Sequence, residues 1–171
     1  MKSSKIFGGF IFLYYICTKK TKLVMTREDK DLLIKDLCGR LPYGVKVYIP
    51  EINIVRTLGT VQYDEENTLF DFWDETHTRY EHQLYLSEFK PYLFPLSSMT
   101  VEQRCKAQNL LPNKCEISFI NSKITFYGED CCVVELEQFD KLFKFFDSQH
   151  VDYRGLISKG LALDATGLNI Y

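Results

Sequence analysis

A chain of 171 residues with 46% apolar and 26% charged side chains is one domain in length. That composition excludes intrinsic disorder and a polytopic membrane protein. Thirteen Phe and eleven Tyr give it the bulky surface for a core. The charge is uneven: the first 24 residues carry Lys2, Lys5, Lys19, Lys20 and Lys22 and no acid, so in 25–171 the other 16 basic residues face 23 acidic ones, a net of −7. A body of that sign repels phosphate backbones, and its Lys and Arg stand singly, which argues against nucleic acid.

Residues 1–24 form a leader open to three readings. The apolar run 6–17 is too short to cross a bilayer as a helix, which needs about 20 residues. Its length and its flanking lysines suit an export or membrane-proximal segment, but residues 15–19 offer no small-x-small cleavage site. The second reading starts the protein at Met25, with the leader as translated upstream sequence. Met25 is followed by Thr26, a helix cap, and by Glu28 and Asp29 in the first turn. The third is an ordered extension. A membrane association follows only if 6–17 is retained. The body's five cysteines (Cys38, Cys105, Cys115, Cys131, Cys132) show no framework spacing, as expected of reduced thiols in the cytoplasm.

The body, 25–171, reads as a single domain. A helix is expected over 26–39, burying Leu33, Ile34, Leu37, Cys38 and Leu41, and ending at Gly39 and Pro42. Val45, Val47 and Ile49 alternate with polar neighbours as a half-buried strand stopped by Pro50. The next strand covers 54–63 with an interruption near Gly59. A hairpin loop at 64–67 leads to a strand over 69–73, and another follows at 83–86. Residues 90–96 read as a rigid, aromatic connector. Thr100 and Gln103 make a capping box that opens a helix to about Leu111. A hairpin turning at Asn121-Ser122 follows. Leu136, Phe139, Leu142, Phe143 and Phe146 then mark a final amphipathic helix, with Glu137–Lys141 and Asp140–Lys144 as i,i+4 pairs on its wet face. The tail from 152 reads as turns.

Three stretches, at Leu37 to Lys46, at Lys90 to Thr100, and at Phe145 to Ala165 through Asp152-Tyr153-Arg154-Gly155-Leu156-Ile157, cover about a third of the body. On these stretches the chain resembles uncharacterised small proteins of Bacteroidetes genomes and their phages or mobile elements. The resemblance implies a chain start near Met25 and a phage or mobile-element setting. It carries no catalytic residue, ligand or cofactor.

The residues with metal-ligand chemistry are Asp64, Glu65, Glu66, Asp71, Asp74, Glu75, His77 and His82. Their spacing matches neither a calcium loop nor a helical His pair. Asp71, on the strand face opposite Phe70 and Phe72, is expected in solvent. Adjacent Cys131-Cys132 lack the paired spacing of a zinc site and read as small core residues. No phosphate loop or nucleophile elbow occurs. Catalytic, cofactor and metal residues are therefore assigned as none.

The densest polar segment is His150-Val151-Asp152-Tyr153-Arg154-Gly155. As a recognition loop, Arg154 would offer a planar fork to a carboxylate and Tyr153 an amphipathic face. In the structural alternative, His150 sits in the favourable dipole of the helix C-terminus, and Asp152 and Arg154 tie the turn down. With Trp73 and Tyr85 from the sheet, His150, Asp152, Tyr153 and Arg154 form the candidate interaction surface. The expected fold is α+β: an N-terminal helix, a small antiparallel sheet over 43–96 curled towards an SH3-like open barrel, and a helix–hairpin–helix segment packed against it. The expected function is a non-enzymatic accessory protein acting on an unknown protein partner, with a nucleic-acid-associated module as the alternative and an enzyme last.

Overall fold

The structure is a computed structural model that describes residues 25–63, 68–73, 79–112, 115–120, 123–128 and 133–171. The leader 1–24, the loop 64–67, the turn 121–122 and Cys131-Cys132 lie outside the described residues. So do Asp64, Glu65, Glu66, Asp74, Glu75 and His77.

Helix α1 spans Arg27–Arg40. Thr26 caps it by accepting a hydrogen bond from Asp29 N at 3.1 Å, which satisfies one of the free amides of the first turn. Its buried face is Leu33, Asp36, Leu37 and Arg40. Of the expected face, Leu33 and Leu37 are buried, Ile34 and Leu41 pack partly buried against the same cluster, and Cys38 is exposed. Two charges hold core positions because partners elsewhere in the chain pay for their desolvation.

The main sheet contains β1 (Lys46–Ile49), β2 (Ile54–Tyr63), β3 (Thr68–Trp73), β4 (Arg79–Tyr85) and β5 (Lys90–Pro95). Its order is β4-β3-β2-β1-β5, with antiparallel ladders throughout that path. Two short strands then join β5 in parallel: β8 (Val151–Asp152) and β9 (Leu163–Asp164). The sheet is therefore mixed rather than purely antiparallel, and its described strands do not close into a barrel.

The segment 90–96, read from its prolines as a connector, contains a strand with ladder partners on β1, β8 and β9. Pro91 pairs only with Val47 and Pro95 only with Asp152, so each missing N–H faces a flank without a ladder bond. The tail likewise supplies two strands where turns were expected. The interruption near Gly59 is a register shift between Leu58 and Thr60 inside one continuous strand.

Helix α2 (Val101–Asn109) opens with the Thr100/Gln103 capping box, Gln103 N donating to Thr100 Oγ1 at 3.1 Å and Thr100 N to Gln103 Oε1 at 2.9 Å. A separate two-stranded sheet follows, β6 (Cys115–Ile120) with β7 (Lys123–Gly128), and then α3 (Leu136–Ser148). The exposed pairs Glu137–Lys141 and Asp140–Lys144 are present at 2.6 and 2.7 Å. Cys115 is disulfide-bonded, which overturns the expectation of reduced thiols at that residue.

The apolar side chains form two clusters. One lies between α1 and the sheet, around Leu33, Leu37, Val47, Phe70, Phe72 and Phe89. The other joins α2, the hairpin and α3 through Leu96, Ala107, Leu111, Leu142 and Phe146. Each fully buried Leu or Phe contributes about 1.5–3 kcal/mol. No helix among the described residues is long and apolar enough to cross a membrane.

Candidate functional site

Where the two clusters meet, charges from both ends of the chain converge. Asp36 and Arg40, one turn apart on α1, are both fully buried. Arg40 grips both Asp36 oxygens, Nε to Oδ2 at 2.7 Å and Nη2 to Oδ1 at 2.9 Å, in the bidentate geometry that suits a guanidinium. Nη2 also donates to Val151 C=O at 2.8 Å, beyond the end of α3. Arg154, in the tail, donates to Asp36 Oδ1 at 2.7 Å and lies 3.5 Å from Asp147 Oδ1. Asp147, on α3, stands 3.7 Å from Arg40 Nη2. Two cations thus face two anions, the arrangement that makes buried charge tolerable. Burial still raises the Asp147 carboxyl above its ordinary range, against the pull of both arginines.

The candidate loop residues separate by role around this knot. Arg154 does offer a fork to carboxylates, but they are the chain's own, and it reaches across to α1 rather than tying its own turn. Asp152 ties the turn, accepting from Leu156 N and Ile157 N at 2.8 Å each. Tyr153 stacks on Phe143, ring centroids 5.2 Å apart, and carries the Arg154 guanidinium 4.3 Å from its centroid. Burial pushes the Tyr153 phenol up.

His150 contradicts the dipole argument. It is buried, and burial, helped by Arg40, lowers its pKa from 6.5 to about 4, so the ring is neutral where a helix C-terminus would favour imidazolium. Its backbone is left-handed, with φ at +52°. The imidazole stacks on Tyr171, centroids 4.0 Å apart at 18°. The Tyr171 hydroxyl bridges two strands, donating to Tyr92 C=O at 2.6 Å and accepting from Lys46 N at 3.1 Å.

Trp73 and Tyr85 stand apart from this loop. Trp73 lies over Gly59 and, with Lys46 and Arg56, lines a depression of about 160 Å3. Tyr85 is half exposed at the end of β4, where its backbone N donates to Glu88 at 2.8 Å. Asp71, expected in solvent, is only 3% exposed and accepts from Thr60 Oγ1 at 2.8 Å and Gln62 Nε2 at 2.9 Å. Register shifts on both flanks of β3 bracket it and break the simple two-face alternation. Among the described residues, no three His, Cys, Asp or Glu side chains are grouped to hold a metal ion.

The larger concavity lies elsewhere. A groove of about 530 Å3 runs between α2 and β6, walled by Val101, Arg104, Cys105 and Gln108 from the helix and by Ile117 and Phe119 from the strand. Gln108 pairs with the strand through its side-chain amide: Nε2 donates to Cys115 C=O at 2.7 Å, and Oε1 accepts from Ile117 N at 2.9 Å. Arg104 donates weakly to Ser97 C=O at 3.3 Å, with its guanidinium carbon 5.9 Å from the Phe119 ring centroid. Val101 at the groove mouth is 79% exposed.

Neither Arg104, Gln108 nor the α1 charges stood out in the sequence. The spacing Leu33, Asp36, Leu37, Arg40 was a usable sign, since it puts an acid and a base in line with two core leucines. The groove had no such sign, because it joins a helix to a strand edge that only the tertiary fold brings alongside. No family model matches this chain, and no curated protein or solved structure matches it either.

Proposed function

We propose that this chain is a non-enzymatic interaction protein that works through protein contacts. The observation that carries the reading is the α2–β6 groove, whose walls are mainly apolar and whose mouth exposes Val101. The candidate loop, by contrast, spends its charges on its own fold: Arg154 on Asp36 and Asp147, and Asp152 on the turn behind it. The resemblance to small proteins of phages and mobile elements supplies the setting for such an accessory role.

The test is reciprocal co-purification from cells producing the full chain, after nuclease treatment and at high salt. The reading expects one protein that captures the chain in return. Recovery of no protein there, with nucleic acid alone recovered from a parallel low-salt sample without nuclease, would overturn it. A second reading, a nucleic-acid-associated module of SH3-like type, draws on Lys46, Arg56 and Trp73 around one depression of the sheet. It requires binding to single-stranded DNA that weakens steeply between 50 and roughly 200 mM salt.

A further inference from the structure

Hydrogen-bonding direction alternates along a strand of an antiparallel pair, so residues of one parity face the partner strand and those of the other face away. The β6–β7 register is regular, with Ile117 opposite Phe126 and Phe119 opposite Ile124. Ile117 N is taken by Gln108, and Cys115 N donates to Pro112 C=O at 2.9 Å. The odd-numbered residues of β6 therefore direct their backbone groups away from β7, towards α2. Gln108 occupies the first two places on that edge, Cys115 C=O and Ile117 N–H, as a short piece of strand would. Next along the same edge come Ile117 C=O, Phe119 N–H and Phe119 C=O, the acceptor–donor–acceptor row that a further strand reads.

We infer that the groove takes an extended peptide segment of a partner protein, added as a strand to the β6 edge where Gln108 stops, with an acidic side chain beside Arg104. The backbone row specifies an extended chain rather than a helix or a compact small molecule. Val101, Ile117 and Phe119 give apolar walls for alternate side chains of that segment. Among the described residues lining the groove, Arg104 alone is charged, and its Nε is buried without a hydrogen-bond partner. Its charge makes the complement acidic. The inference rests on the protein-contact reading and names the class of ligand.

The test is selection of a phage-displayed library of random dodecapeptides on the full chain, followed by synthesis of the best-enriched sequence. The expected peptide contains an acid among alternating apolar residues. Its affinity should fall at least tenfold with Arg104→Gln and also with Val101→Glu, an exposed change that leaves the fold intact. Methylating alternate backbone nitrogens of the peptide should abolish binding. Bound peptide should shield Cys105 from iodoacetamide while exposed Cys38, on α1, reacts at its former rate.

The inference is overturned if no sequence is enriched. It is overturned equally by a peptide that ignores both substitutions and leaves Cys105 reactive, or by a dimer that Val101→Glu converts to monomer, which would put a second copy in the groove. A partner that still co-purifies with the Val101→Glu chain would remove this inference and leave the protein-contact reading standing.

Discussion

The carboxylate of Asp147 fills the space over Gly39: a β-carbon at residue 39 would stand 2.7 Å from Asp147 Oδ2. In an ordinary helix, Gly→Ala gains about 0.5–1 kcal/mol in propensity. Here the neighbour cannot give way freely, because Arg40 and Arg154 hold it from two sides. Overpacking costs about 1–3 kcal/mol, so the clash wins. Gly39→Ala should lower the urea midpoint at unchanged slope, and a raised midpoint would show that α3 yields.

Removing one member of the knot should cost far more than removing a matched pair. Arg40→Met leaves Asp36 buried with only Arg154 beside it, and breaking a buried pair costs about 3–5 kcal/mol. The double variant Asp36→Leu/Arg40→Met leaves Arg154 with Asp147 and should recover a large part of that loss. Equilibrium denaturation of the singles and the double gives the coupling directly. Additive effects would show that the charges act independently.

The His150 ring gives stability a pH dependence of definite sign. Its pKa is about 4 in the folded chain against 6.5 ordinarily, so between those values the unfolded chain binds the extra proton. The contribution is complete above pH 6.5 and is lost as pH falls towards 4, a span of about 3 kcal/mol. His150→Asn suits the left-handed backbone and removes the titration. The stability gap between pH 7.5 and pH 4 should therefore shrink in the variant. An unchanged gap would place the acid sensitivity in the carboxylates.

Trp73, the single tryptophan of the chain, reports on Gly59. Any side chain at 59 runs into the indole, whose Nε1 and Cδ1 lie over that α-carbon. Gly59→Val should displace the ring, red-shift its fluorescence and destabilise the β2–β3 ladder by about 1–3 kcal/mol. An unshifted spectrum would mean that the strand absorbs the added bulk.

Local rules read much of the fold from the sequence and failed where distant contacts took over. Thr26, Thr100 and Gln103 announced helix starts because a cap depends on residues three apart. The alternation of Val47 and Ile49 marked β1 for the same reason. Pro91 and Pro95 misled, since nothing nearby shows that β5 lacks a neighbour just where each nitrogen points. Asp71 and His150 misled too: solvent and helix dipole are the local expectations, and tertiary burial outweighs both. Of the candidate surface, His150, Asp152, Tyr153 and Arg154 do gather around one structure, but its other half is Asp147, on the helix just before them, and Asp36 and Arg40, from a helix more than a hundred positions away.

That separation has a consequence during synthesis. Arg40 and Val151 are 111 positions apart, and Asp36 and Arg154 are 118 apart. As the polypeptide leaves the ribosome from its amino end, α1 emerges with its acid and base able to satisfy only each other. The groups that complete their coordination, Val151 C=O and Arg154, are made 111 and 118 positions later. Long loops must close before that reward is available, which slows assembly. The buried ion network of α1 can therefore be completed only after residues 147–154 have been made.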